Sequence, residues 1–106
     1  MSFSIHFTAV AQRDMHDIFE YIAYELQSVS NAVGQLERIE HGIMSLAQMP
    51  ERYRVYEKEP WRSRNLRIMP IDNYLVFYIS DCAENQITIV RVIYGGRDVY
   101  SQLNNN

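Results

Sequence analysis

The sequence has a single cysteine, Cys82, and no long apolar run. One thiol excludes an internal disulfide framework and a zinc site built from several cysteines. No stretch approaches the roughly 20 consecutive apolar residues that a membrane-spanning helix needs, so no membrane association is expected. The segment Met1–His6 has neither the basic start nor the long apolar core of an export signal. We therefore expect a cytoplasmic protein.

Glycine and proline are also scarce, with 4 and 3 residues, whereas 47% of the 106 residues are hydrophobic. A chain with this composition can bury a core and is not typical of a disordered tail. Its length suits one domain over residues 1–106 and is too short for two independent cores.

Positive charge is in deficit, because ten Lys and Arg residues stand against thirteen Asp and Glu, a net charge of -3. This balance argues against a protein that binds nucleic acid by bulk charge alone. The charge is uneven, since residues 1–50 hold two basic and six acidic residues while residues 51–69 hold six basic and three acidic. The basic segment is either a solvated loop and strand edge or a binding surface for an acidic partner.

Helical spacing of apolar residues dominates the first half of the chain. A short alternating strand over residues 4–7 precedes Thr8, whose hydroxyl can cap a helix over residues 9 to about 27. Ser30 is predicted to cap a second helix, in which apolar residues recur every three or four positions until Pro50 stops it. Because the link is short, the two helices should pack as an antiparallel hairpin.

In the second half the apolar pattern changes to a period of two. Strands are predicted over residues 63–69, 74–79 and 86–94, with turns at 70–73 and 81–85. The order β-α-α-β-β-β predicts an α+β fold, a mostly antiparallel sheet with the N-terminal helical hairpin packed on one face. The tail Asn104–Asn106 is expected to fray.

The sequence predicts neither a metal site nor a cofactor site. His16 and Glu20 lie one helical turn apart, but no third ligand is apparent. Cys82 has acidic neighbours, which disfavour the thiolate that a nucleophile requires.

RNA cleavage through a 2′-hydroxyl remains open, because it needs a base, a cation and an acid. Arg67, Arg91 and Arg97 could supply the cation, and Tyr94 or Tyr100 the acid. The base is missing, since the second half of the chain contains no histidine.

Two segments of the second half carry a family resemblance. Asn-Tyr-Leu-Val-Phe-Tyr (73–78) and Ile-Val-Arg-Val-Ile-Tyr-Gly-Gly-Arg-Asp (89–98) resemble the C-terminal signature of the RelE/ParE superfamily, the toxins of bacterial type II toxin–antitoxin pairs. The first helix and the Leu46–Pro50 exit of the second are similar too, so the resemblance spans about residues 5–103. It implies a growth inhibitor that a cognate antitoxin neutralises.

The resemblance points to two possible targets. RelE-like members cleave ribosome-bound mRNA and carry an arginine directly after the aromatic residue that starts the middle hairpin strand, where this chain has Leu75 after Tyr74. If this chain were such a nuclease, Arg67, Arg97 and Tyr100 would form its site. ParE-like members poison DNA gyrase without catalytic residues of their own, and both segments resemble that branch. The resemblance favours a gyrase poison, with a ribosome-dependent mRNA endonuclease as the alternative and a non-toxic interaction module as a third possibility.

The resemblance also implies that a disordered antitoxin segment folds on the toxin. We therefore expect an exposed apolar strip near helix 1 or at the sheet edge. The residues expected to contact the antitoxin or the target are Trp61, Arg64, Arg67, Arg91, Tyr94 and Arg97.

Overall fold

A computed structural model describes residues 3–96 and 98–104 of the chain. Its elements, in order, are β1 (Ser4–Phe7), α1 (Ala9–Glu20), a π-helical turn (Tyr21–Glu25), α2 (Val29–Ser45), β2 (Arg67–Ile71), β3 (Tyr74–Asp81), β4 (Gln86–Tyr94) and α3 (Val99–Asn104). The predicted α+β order is confirmed, and α3 is added to it. In the described ranges, no helix combines the length and apolar content needed to cross a membrane.

The four strands form one sheet in the order β1-β4-β3-β2. β1 runs parallel to β4, with Ile5 opposite Ile87. The two helices carry the chain from β1 at one edge of the sheet to β2 at the other. The other two pairings are antiparallel, and a bulge interrupts β3 and β4 between Phe77 and Tyr78. The sheet is therefore mostly antiparallel, as predicted.

The caps set where the two long helices begin. The Thr8 hydroxyl accepts a hydrogen bond from the backbone N–H of Ala11 at 3.0 Å, which confirms the first predicted cap. The prediction of Ser30 as the second cap is wrong, because the Ser28 hydroxyl accepts the bond from the Asn31 N–H. Gln27, just before this cap, adopts a left-handed φ of 55° and turns the chain there. α2 therefore begins earlier than a cap at Ser30 would allow.

Helix ends also differ from the sequence predictions. α1 ends at Glu20, after which the helix widens into the π-helical turn Tyr21–Glu25 instead of continuing as α-helix to about residue 27. α2 ends at Ser45, ahead of Pro50, because Leu46 and the next residue bond to carbonyls three positions back and tighten the last turn.

The sheet has a packed cluster on each face. α1 and α2 cover the first face, and their buried side chains meet those of the strands; the cluster there is Ala11, Ile39, Ile43, Leu46, Met69, Val76, Tyr78, Ile87, Ile89 and Val92. α3 and the connection before β2 cover the second face, where the buried cluster is Leu66, Ile68, Phe77, Ile93 and Leu103. The helical hairpin on one face is thus confirmed, and the second cover was not predicted.

Three predictions for the C-terminal half are wrong. Residues 63–66 form a turn with Asn65 at a φ of 58°, so β2 spans Arg67–Ile71 instead of residues 63–69. β2 includes Pro70, which an edge strand tolerates, and this shortens the predicted turn at 70–73. Asn104 belongs to α3, whose Leu103 is fully buried, while the rest of the predicted frayed tail lies outside the described residues.

Tyr78 ties the chain after α2 to the sheet. Its ring is fully buried in the first-face cluster, and its hydroxyl donates to the Pro50 carbonyl at 2.8 Å. Burial raises the pKa of Tyr78 above its ordinary value of 10.0. The neutral phenol is therefore the form that the fold stabilises.

We expect Tyr78→Phe to lower the free energy of unfolding at pH 7 by about 1 kcal/mol, through loss of the bond to Pro50. Because the folded pKa is raised, the stability linked to the neutral phenol is complete below pH 10.0 and is lost as the pH rises through the folded value. Urea denaturation at pH 7 and 10.5 should show a smaller alkaline loss in Tyr78→Phe than in the wild type. Tyr24→Phe, at a ring that is 64% exposed, is the control and should match the wild type at pH 7.

Candidate functional site

Arg91 and Asp14 form an ion pair that joins three elements. Arg91 on β4 donates to both carboxylate oxygens of Asp14 on α1, at 2.7 and 3.1 Å, and to the Gln102 carbonyl on α3 at 2.7 Å. The two charged side chains are only 12% and 13% exposed. A bidentate pair this shielded from water is a strong structural contact.

The same carboxylate completes the edge of the sheet. β1 ends at Phe7, whereas β4 continues to Tyr94, so the end of β4 has no strand partner on that side. Asp14 accepts from the backbone N–H of Val92 at 3.0 Å, and the Thr8 hydroxyl donates to the Val90 carbonyl at 3.0 Å. Two side chains thus replace a missing strand.

A groove of about 800 Å³ opens beside this ion pair. The residues that line it come from α1, the π-helical turn and the residue after it, α2, the start of β3, the end of β4, and α3; they are Asp14, Asp17, Ile18, Tyr21, Ile22, Leu26, Asn31, Gln35, Arg38, Asn73, Tyr74, Arg91, Val92, Ile93, Tyr94 and Gln102. Tyr21, Leu26 and Tyr94 are 54%, 58% and 45% exposed. The groove therefore presents apolar surface to water beside helix 1.

The two arginines of the groove are already neutralised. Arg38 lies 2.7 Å from the Asp72 carboxylate, to which the Gln35 amide also donates. These hydrogen bonds, from Arg38 first and then Gln35, lower the pKa of Asp72. Arg91 is shielded from water as well as paired with Asp14, whereas the Arg38 side chain stays 58% exposed beside its partner Asp72.

Arg67 and Tyr100, two of the three predicted nuclease residues, lie on opposite faces of the sheet. Arg67 stands opposite Tyr78 in the pairing of β2 and β3, so its side chain leaves the sheet on the first face. It donates to the Tyr53 carbonyl at 2.6 Å. The Tyr100 hydroxyl donates to the Glu59 carbonyl at 3.0 Å on the side of the second cluster. The third residue, Arg97, lies outside the described residues.

Trp61 and Arg64 form a second surface, on the second face. The Arg64 guanidinium lies 5.1 Å from the centre of the Trp61 ring, within the range of a cation–π contact. The indole N–H donates to the Asn104 side chain at 3.0 Å, which ties this pair to α3. The Lys58 ammonium group makes a similar contact with Tyr100, 5.0 Å from the centre of its ring.

Four of the six predicted contact residues divide between two surfaces, whereas Arg67 belongs to neither and Arg97 lies outside the described residues. Arg91 and Tyr94 line the groove, whereas Trp61 and Arg64 lie on the second face. The sequence analysis missed Tyr21 and Leu26 as groove residues, although an exposed strip near helix 1 was expected. Leu26 continues the apolar helical spacing of the predicted first helix, and Tyr21 adjoins it, so their spacing did not distinguish them from residues that are buried.

Leu75 packs on the second face, among the apolar side chains around Phe77 and Ile93. Arg38, Arg64, Arg67 and Arg91 each have a different partner, namely Asp72, the Trp61 ring, the Tyr53 carbonyl and Asp14. Leu75 itself is half-buried and has apolar neighbours.

Neither Cys82 nor His16 gains a catalytic setting. Partial shielding from water and the nearby Glu51 carboxylate raise the pKa of the exposed Cys82 thiol. His16 pairs with Glu20 at 3.1 Å, and no group of three possible metal ligands occurs within residues 3–96 and 98–104.

Solved structures of toxins resemble this fold. A chain from "Chromosomal ParDE TA system from P. aeruginosa" matches with a TM-score of 0.70 and 17% identity, covering 88% of this chain and 96% of that one. A chain from the toxin–antitoxin complex RelBE2 of Mycobacterium tuberculosis matches with a TM-score of 0.66 and 19% identity, covering 89% and 99%. The isolated E. coli RelE toxin matches with a TM-score of 0.61 and 12% identity, covering 95% and 94%. The fold is that of the RelE/ParE toxins.

The match of the sequence to a family model identifies one family within the RelE/ParE toxins. Residues 5–99 match the model of the ParE toxin of the type II toxin–antitoxin system parDE. The chain belongs to this toxin family. No curated protein sequence is significantly similar to it.

We expect Asp14→Ala to lower the free energy of unfolding by about 3 kcal/mol, because it removes the counter-charge of the largely buried Arg91 cation. Removing both charges in Asp14→Leu/Arg91→Met should recover part of that loss. Urea denaturation measures both changes. Asp17→Ala, one turn away and exposed, should shift stability by less than about 0.5 kcal/mol. A loss below 1 kcal/mol in Asp14→Ala would contradict the structural role of the pair.

Proposed function

We propose that this chain is the toxin of a type II pair, that it acts in the cytoplasm by poisoning DNA gyrase, and that its cognate antitoxin binds in the groove. The observation that carries the choice of target is Leu75, which stands where a RelE-like nuclease would have an arginine and packs among apolar side chains. A site without that cation stabilises a phosphorane poorly, whereas a protein target can be bound through shape and a few anchors.

Antitoxin binding is supported by the groove. Exposed apolar surface of this kind beside a helix is typical of sites that take an amphipathic segment. Two of the similar solved structures are described as toxin–antitoxin systems or complexes. Tyr21, Leu26 and Tyr94 are the anchors that we assign to the antitoxin.

Gyrase contact is assigned to the second surface. The half-buried Trp61 and the exposed Arg64 form an aromatic–cation pair, and tryptophan and arginine are enriched among residues that dominate binding energy. Arg67 and Arg97 remain predicted contact residues. Arg67 is a poorer candidate than Arg64, because its guanidinium is held by the Tyr53 carbonyl.

A ribosome-dependent mRNA endonuclease is the second candidate. It would need Arg67, Arg97 and Tyr100 to act on one phosphate. Arg67 and Tyr100 bind carbonyls on opposite faces of the sheet, which weighs against this candidate. A non-toxic interaction module is the third, and harmless overexpression of the folded chain would favour it.

The two targets are separated by parallel assays of the purified chain with gyrase and relaxed plasmid, and with ribosomes bound to mRNA. We expect loss of supercoiling with accumulation of cleaved plasmid, and intact mRNA. Arg64→Glu should raise the concentration needed for half-inhibition by about tenfold, since it removes a cation from the assigned contact. Arg13→Glu, the same charge change at an exposed position of α1, should have no effect.

Cuts at codon boundaries with unaffected supercoiling would overturn the proposed target. Equal effects of Arg64→Glu and Arg13→Glu would instead reject the second surface as the contact while leaving the target in place.

A further inference from the structure

We infer that the groove is an anionic receptor, and that the antitoxin segment it binds is amphipathic and carries a lysine or arginine that pairs with Asp17. This inference rests on the proposed antitoxin and names the chemistry of its segment. Toxin recognition would then depend on a cation of the antitoxin.

The first support is a carboxylate in the groove, that of Asp17, which has no ion-pair partner among the described residues. Arg38 and Arg91 line it, but each is within 2.7 Å of a carboxylate, Asp72 and Asp14. Asp17 also lines the groove, is exposed, and has no ion pair among the described residues. When the two ion pairs are counted as neutral, Asp17 leaves the groove with one net negative charge.

The second support is the position of Asp17 on helix 1. Asp17 and Tyr21 are four residues apart, and Ile18 lies beside them on the groove side. An apolar segment that covers Ile18 and Tyr21 passes within reach of the Asp17 carboxylate. A lysine or arginine could bury its stem against Tyr21 and place its charge at Asp17.

The third support is the wider field of the helical layer. Residues 1–50 contain six acidic residues and only two basic ones, Arg13 and Arg38, and Arg38 is paired with Asp72. A surface with this excess of carboxylates raises the association rate of a cationic segment and slows that of an anionic one. Charge complementarity thus selects a basic occupant over an acidic one.

The test uses the full toxin and, as probe, the purified product of the small reading frame adjacent to the toxin gene. Isothermal titration at 50 and 300 mM salt compares wild type, Asp17→Asn, Asp17→Lys and Glu37→Lys. Glu37 is exposed on α2 outside the groove, so its variant makes the same charge change elsewhere. We expect Asp17→Lys to weaken binding by at least about tenfold, Asp17→Asn by less, and Glu37→Lys by under about twofold.

Further outcomes decide the inference. Exchange of one basic residue of the probe for glutamate should restore its binding to Asp17→Lys, and the affinity of the wild type should fall at the higher salt. Binding that is unchanged or tighter in Asp17→Lys would overturn the inference and leave the antitoxin in place. Failure of the probe to bind even the wild-type toxin would instead count against the proposed function. Thermal melting of each variant confirms that it is folded.

Discussion

The ion pair of Asp14 and Arg91 resolves a mismatch in the length of two paired strands. β1 has four residues and β4 has nine, so the parallel pairing ends while β4 continues. A strand edge with free N–H and C=O groups pays a penalty unless other groups bind them. Asp14 binds the Val92 N–H and holds Arg91, which in turn holds the Gln102 carbonyl of α3. One carboxylate thereby fixes α1 beside the sheet, and the groove lies in the space between them.

The strongest sequence patterns gave the most accurate elements. β3 and β4 were predicted from continuous apolar and β-branched runs, and the structure extends only β3, by two residues. A continuous apolar run of this kind predicts a strand well, because a strand that is buried on both faces needs apolar residues at every position. β2 was misplaced by four residues at its start, because a left-handed Asn65 turns a segment whose alternation imitates a strand. The helix α3 has six residues, too few for a helical period to be visible, and it forms because Leu103 is buried against the second face.

The candidate site was less accessible to sequence reasoning than the fold. Arg38, Arg64, Arg67 and Arg91 look alike in the sequence, but the structure gives each a different partner. The partner of Arg91 lies 77 residues away, and no local pattern shows that a cation is neutralised at that distance. Local sequence does not distinguish the exposed groove residues Tyr21 and Leu26 from the buried apolar residues of the same helix. Charge and polarity of a surface are therefore properties of the assembled chain, even where its strands can be predicted one by one.

The modest net charge of the chain results from two segments of opposite sign. Acidic residues predominate in residues 1–50, which supply the helices of the first face, and basic ones in residues 51–69, which reach both faces, since Tyr53 packs on the first cluster and Trp61 on the second. α3 contacts both the groove and the second surface, since the Gln102 carbonyl accepts from Arg91 and the Asn104 side chain accepts from Trp61. α3 is therefore the element that the groove and the second surface share, and its fully buried Leu103 anchors it on the second face of the sheet.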